Sequence, residues 1–276
     1  MKDQRLIQGR PAPRLLAASA LLAAATLLSA APALGHSLFP GVQAIVSRPG
    51  AAKGDWLMAA TFGMLRSTDG GLTAGWICEE AYVADTGGVD STVAVLSDGT
   101  WLVTTDGHAF SSTDDGCSWN KLEGVPDEAW FYGIWQDPAA LDTLWAVAVV
   151  DGKTHQLLRR DPKTGTWATK WESGPLHVKR VELRGKRLAA LAADPGGGGA
   201  LLLWSENGGD TISSKPIKNI EGELRLAPLH PTDPKLLVLR SNKSEVHGVW
   251  RSTNGGETWK QVLSFKPKQD LQAATW

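Results

Sequence analysis

Ser112-Thr113-Asp114-Asp115-Gly116-Cys117-Ser118-Trp119 is the stretch whose reading decides the fold. An acidic residue followed by glycine marks a tight turn, because Asp or Asn accepts hydrogen bonds from nearby backbone N–H groups and Gly takes a positive φ. Four other segments align with it: Ser67-Thr68-Asp69-Gly70-Gly71, Arg160-Asp161-Pro162-Lys163-Thr164-Gly165, Ser205-Glu206-Asn207-Gly208-Gly209 and Ser252-Thr253-Asn254-Gly255-Gly256. The anchors at 69, 114, 161, 207 and 254 are separated by 45, 47, 46 and 47 residues. A repeat in the 40s made of short strands is the spacing of four-stranded propeller blades.

Each unit reads as a meander. In the second, Thr92–Leu96, Trp101–Thr104, Ala109–Ser112 and Ser118–Leu122 are β-rich runs separated by Ser97-Asp98-Gly99, Asp106-Gly107 and the Asp114 turn. The fifth repeats the plan with Leu224–Leu226, Leu236–Leu239, Gly248–Arg251 and Thr258–Val262. No sustained helical period follows residue 36. The expected fold is all-β, a propeller of four-stranded antiparallel blades at roughly 40–85, 90–125, 128–173, 176–220 and 222–265. Counting one period past Asn254 places 270–276 at the first strand of another blade. Those residues either begin a sixth unit of a six- to eight-bladed protein or close a five-bladed ring.

These residues resemble the Asp-box (BNR) repeat, Ser/Thr-x-Asp-x-Gly-x-x-Trp. Ser112, Asp114, Gly116 and Trp119 match it fully; Ser252, Asn254, Gly256 and Trp259 match with Asn for Asp. Ser67, Asp69 and Gly71 match, with Trp76 two residues late after Ala74-Gly75. The third copy keeps Asp161, Gly165 and Trp167 with altered spacing; the fourth keeps Asn207 and Gly209 with Ile212 in the Trp position. The resemblance spans about residues 40–276. It implies a propeller in which the box closes the hairpin between the third and fourth strands and the Trp packs over the turn as a lid. The box residues are therefore expected to be structural, with no catalytic role.

The N-terminus reads as an export signal. Lys2, Arg5, Arg10 and Arg14 precede the apolar run Leu15–Leu28, which is short for a membrane span, and small residues follow up to Gly35. Residues 1–35 are the expected signal peptide, and the remainder is placed outside the cell, in the periplasm or at the cell surface. Its four cations and one acid come off totals of 28 and 29, leaving 24 basic and 28 acidic residues, a net charge of −4. That balance disfavours nucleic acid as a partner. Thirteen tryptophans against two tyrosines and five phenylalanines point to an architecture that uses Trp repeatedly.

The candidates for chemistry are few. Cys78 and Cys117, the two cysteines of an exported chain, are expected to pair as a disulfide if local insertions overcome the blade spacing. Glu79-Glu80 beside Tyr82 is the densest acidic spot, but neighbours on a strand point to opposite faces, so they form no acid/base couple. His36, His108, His155, His177, His230 and His247 show no metal-ligand spacing. Asp194-Pro195-Gly196-Gly197-Gly198-Gly199 lacks the Lys-Ser/Thr of a phosphate loop and reads as a hairpin tip. No metal and no cofactor is expected.

The Asp-box resemblance implies several functional classes. Sialidases grip a sugar carboxylate with three arginines and use a tyrosine nucleophile. Here Arg48, Arg66, Arg180, Arg225, Arg240 and Arg251 supply candidates, but Tyr82 and Tyr132 lie early and Ser47-Arg48-Pro49 lacks the expected Ile. Xyloglucan-type glycosidases use two such propellers. Photosystem assembly factors, sortilin-type receptors and many exported bacterial proteins use the scaffold to bind. The expectation is a non-catalytic scaffold for a protein or glycan ligand, with a glycoside hydrolase as the alternative.

Overall fold

The computed structural model describes residues 42–48, 54–60, 63–77, 92–105, 107–126, 128–137, 140–174, 176–194, 199–243 and 246–266. Residues 1–35, Cys78, Glu79, Glu80, Tyr82 and 270–276 lie outside them. Twenty strands make five four-stranded sheets, each an antiparallel meander in chain order. The first sheet holds β1 (Val42–Ser47), β2 (Trp56–Ala60), β3 (Gly63–Ser67) and β4 (Gly75–Ile77). The second holds β5 (Thr92–Val95), β6 (Trp101–Thr105), β7 (His108–Ser112) and β8 (Asn120–Lys121). The third runs from β9 (Trp130–Asp137) through β10 (Ala140–Val150) and β11 (Thr154–Arg160) to β12 (Trp167–Glu172). The fourth comprises β13 (His177–Arg184), β14 (Arg187–Ala193), β15 (Ala200–Ser205) and β16 (Ser213–Ile217). The fifth comprises β17 (Glu223–Leu226), β18 (Leu237–Lys243), β19 (Val246–Ser252) and β20 (Lys260–Phe265). No helix occurs among the described residues. The architecture is an all-β arrangement of propeller blades.

Alternation along the strands fills the space between sheets. Leu57, Ala59 and Met64 of the first sheet are buried against Val93, Val95, Trp101 and Val103 of the second. Leu102 and Ala109 face Ile134, Leu144, Ala146 and Leu158 of the third. Trp145, Val147 and Leu157 meet Val181, Leu188 and Leu203 of the fourth, and Leu202 and Ala189 meet Leu226, Leu237 and Leu239 of the fifth. Sheets buried on both faces need apolar residues at both parities, so the middle strands carry the continuous apolar runs 101–103 in β6, 144–150 in β10 and 188–193 in β14.

Antiparallel meandering sorts the turns to two ends. At one end, Gly70 N–H donates to Gly54 O (3.0 Å), Gly208 N–H to Lys186 O (2.7 Å) and Gly255 N–H to Lys235 O (2.9 Å). Each bond ties a third-to-fourth-strand turn to the first-to-second-strand turn of its own blade. The second-to-third-strand turns and the links between blades share the other end, where Phe131 N–H donates to Gly107 O (2.8 Å).

Candidate functional site

The anchor turns are hydrogen-bonded from within. Asp114 Oδ1 accepts from Ser112 Oγ (2.9 Å) and Ser118 N–H (2.9 Å), and Oδ2 accepts from Ser118 Oγ (2.6 Å). Ser112 Oγ in turn accepts Gly116 N–H (2.9 Å). Asp69 repeats the set with Ser67, Gly71 and Thr73. Asn207 and Asn254 repeat it with Ser205, Gly209 and Thr211 and with Ser252, Gly256 and Thr258, their Nδ2 donating to the threonine hydroxyl (2.9 Å in both). Donors at Thr73 and Ser118, the side-chain hydroxyls first, hold Asp69 and Asp114 at about 2 against an ordinary 3.8. A carboxylate so occupied has three of its roughly four lone-pair sites taken by its own turn and no tendency to carry a proton at neutral pH.

The sequence reading missed one member of this constellation: a hydroxyl residue four places after each of these anchors, Thr73, Ser118, Thr211 or Thr258. Its recurrence at a fixed offset in four copies was the available signal. The third copy departs from the others. Arg159 stands where the others have serine, Asp161 Oδ1 accepts Lys163 N–H (2.7 Å) and Thr164 N–H (3.1 Å), and Gly165 N–H donates to Asp161 O (2.9 Å).

The predicted lids divide. Trp119 packs against the first inter-blade core, and its Nε1–H donates to Gly116 O (3.0 Å). Trp167 and Trp259 are partly buried against their neighbouring cores, and Ile212 fills the corresponding place in the fourth blade. Trp76 is not a lid. It is 61% exposed, because the two extra residues Ala74-Gly75 carry it past the turn and onto β4. Gly71, Gly116, Gly209 and Gly256 lie under large side chains; a Cβ added there would stand 2.9 Å from Trp56, 2.9 Å from Trp101, 2.2 Å from Trp145 and 2.5 Å from Leu202, respectively.

The disulfide expectation is corrected at one end. Cys117 is a free, exposed thiol in its turn, and Cys78 lies outside the described residues. Of the arginines named for a carboxylate grip, two converge, on a carboxylate of the protein itself. Arg48 and Arg66 hold Asp115 across the first junction (2.9 and 3.1 Å), Arg180 holds Glu182 and Arg225 holds Glu223. Two further cations cross to the next blade's turn, Arg159 to Asp210 (3.0 Å) and Lys215 to Glu257 (2.6 Å). No group of three or more His, Cys, Asp or Glu placed to hold a metal occurs among the described residues.

At the end opposite the anchor turns, aromatic rings collect. His108 opens β7, Trp130 opens β9 and His177 opens β13, while His155 and His247 are second residues of β11 and β19. The Trp130 indole lies on the backbone of Gly107, which has φ +77, and its ring centroid is 6.4 Å from that of the exposed His108. At the next junction His155, 2% exposed, is stacked between Tyr132 (5.0 Å) and His177 (4.4 Å). Its Nδ1 stands 3.2 Å from both the N and the O of Val178. His247 meets the edge of Phe265 at 5.4 Å. In the sequence these histidines show no metal-ligand spacing. They are scattered along the chain, but the meander brings the starts of first and third strands to one end of the molecule.

Compared by sequence, the chain matches no family model and no curated protein. Compared by structure, it is similar to the GH74 enzyme of Niastella koreensis, with a TM-score of 0.62, 17% identity, and coverage of 80% of this chain and 38% of that one. The GH74 xyloglucanase of Xanthomonas campestris gives 0.59 and 17%, covering 81% and 38%. The oligogalacturonate lyase of Vibrio parahaemolyticus gives 0.53 and 10%, covering 80% and 65%. The likeness is one of fold. The chain spans 38% of the length of both GH74 proteins.

Proposed function

We propose that this chain is an exported Asp-box propeller acting as a non-catalytic scaffold, with a protein or glycan ligand held at the aromatic and histidine rim opposite the boxes. The observation that carries this is the division of labour between the two ends. Box carboxylates are hydrogen-bonded to their own turns, while the opposite end presents rings. Its test is a pair of measurements on one preparation. Saturable binding on a glycan or secretome array, without hydrolysis of a chromogenic sialoside or a β-glucan panel, supports the scaffold. Hydrolysis of either overturns it. Export is read from residues 1–35, and an N-terminal sequence of the secreted protein beginning near His36 is the expected outcome.

One observation favours the glycoside hydrolase alternative. Glu182 on β13 is buried, and burial raises its carboxyl above the ordinary 4.5 despite the opposing Arg180 guanidinium. A raised carboxyl is what a general acid needs, but a retaining enzyme also needs a second carboxylate about 5–5.5 Å away. The partner found beside Glu182 is a cation. If hydrolysis is seen, Glu182→Gln should abolish it; activity surviving that change removes Glu182 from the reaction.

A further inference from the structure

We propose that Trp130, His108 and Glu128 form a binding site for a neutral saccharide at the junction of the second and third blades, an inference that rests on the scaffold reading. Trp130 is 49% exposed, and an exposed indole is common enough to need no explanation by itself. What sets it apart is how it is held. One side of its ring is seated on the Gly107 backbone, where a Cβ would come within 2.2 Å, 2.4 Å and 2.5 Å of three ring atoms. Phe131, the next residue, is bonded to the same glycine, N–H to O at 2.8 Å, so strand and turn form one unit. The indole thus reaches solvent on a fixed mount. A flat aromatic ring at low conformational cost is what the C–H face of a pyranose stacks on.

Two polar residues stand next to the platform's turn and strand in the chain. The His108 imidazole, tilted 45° to the indole, is exposed and opens β7 beside Gly107. Glu128, two residues before Trp130, is exposed and held at φ 58. A glutamate in the left-handed region costs stability, and such strain persists where the surroundings impose it, commonly at ligand sites. Imidazole and carboxylate together can donate to and accept from sugar hydroxyls. Charge sets the class. The charged residues described in the link 122–129, Glu123 and Glu128, are both acidic, which repels a uronic or sialic acid and leaves a neutral sugar.

The test is isothermal titration of the intact protein with cellohexaose, xylohexaose and trigalacturonate. At least one neutral hexasaccharide should bind saturably, and trigalacturonate should not. Trp130→Ala should weaken that binding about tenfold or more, since tenfold corresponds to the worth of one good aromatic contact, and Trp130→Phe should keep part of it. Glu128→Gly removes the carboxylate while suiting the backbone, so it should weaken binding several-fold without lowering the melting temperature. It stands in if Trp130→Ala fails to fold. Binding by neither hexasaccharide, or by trigalacturonate alone, overturns the saccharide class. Binding indifferent to both Trp130→Ala and Glu128→Gly overturns the location. Cleavage of the bound hexasaccharide, read by chromatography of the same mixture, would sink the non-catalytic reading while leaving the Trp130 site intact.

Discussion

The backbone of Gly107 lies directly beneath the indole of Trp130, so close that a methyl group at Gly107 would stand 2.2 Å from the ring. Two costs coincide there. Gly107 has φ +77, where an L side chain loses roughly 1–2 kcal/mol, and the added carbon must also displace the ring. Gly107→Ala should therefore lower the melting temperature by about 2–8 °C, given roughly 2–4 °C per kcal/mol for a chain of this size. A variant melting with the parent would show that the ring can leave the glycine freely.

The two best-contrasted tryptophans should respond oppositely to truncation. Trp119 packs against the Trp101 ring (6.4 Å between centroids) and caps Gly116 through its Nε1–H. Trp119→Ala should cost about 3 kcal/mol, the low end for a buried Trp, because one edge remains wet. Trp76→Ala, in the same repeat position but 61% exposed, should stay within about 0.5 kcal/mol of the parent. Urea unfolding of both variants reads the difference directly. Equal losses would mean the extra Ala74-Gly75 does not displace the lid.

Asp114 should make the fold acid-sensitive in a defined window. Its folded carboxyl sits at about 2, lowered first by the Ser118 hydroxyl, against 3.8 when free of the fold. A depressed folded value means the contribution is complete above 3.8 and drains away as pH falls from there toward 2. Asn207 and Asn254 make the same turn with an amide, so Asp114→Asn should keep the turn and flatten the stability loss across that window. Melting curves at successive pH values check this; an unchanged slope would put the acid sensitivity elsewhere.

Cys117 should react as a free thiol in the folded protein. It is exposed in the turn with no disulfide partner. Ellman's reagent should label it without denaturant, and Cys117→Ser should remove that label. Failure to label would restore the pairing expected from export.

The blade plan was legible because each repeat carries its turn chemistry locally. The Ser67–Asp69 and Ser112–Asp114 bonds span two residues, so spacing alone reveals them. The Trp76 outcome was less visible, since an insertion of two residues decides whether a ring lands on a turn or on an open strand. The ring cluster was hidden for another reason. His108 and Trp130 lie 22 residues apart and meet only because the second-to-third-strand turn of one blade abuts the first strand of the next. That contact depends on how blades nest, which no local pattern encodes. Arg159 was similarly obscure: it fills the serine place of the third turn, and its partner Asp210 belongs to the following blade.

The anchor glycines are roofed in part from the blade before: Ile77 over Gly116, Trp145 over Gly209 and Leu202 over Gly256. A turn so covered is complete only when its predecessor is in place, which couples neighbours as in a one-dimensional array. Order should then propagate in the direction of synthesis, each finished blade serving as the template on which the next one sets. A lesion in the third blade would accordingly be felt more by the fourth and fifth than by the first, and amide exchange would record it as a step along the chain rather than a uniform loss.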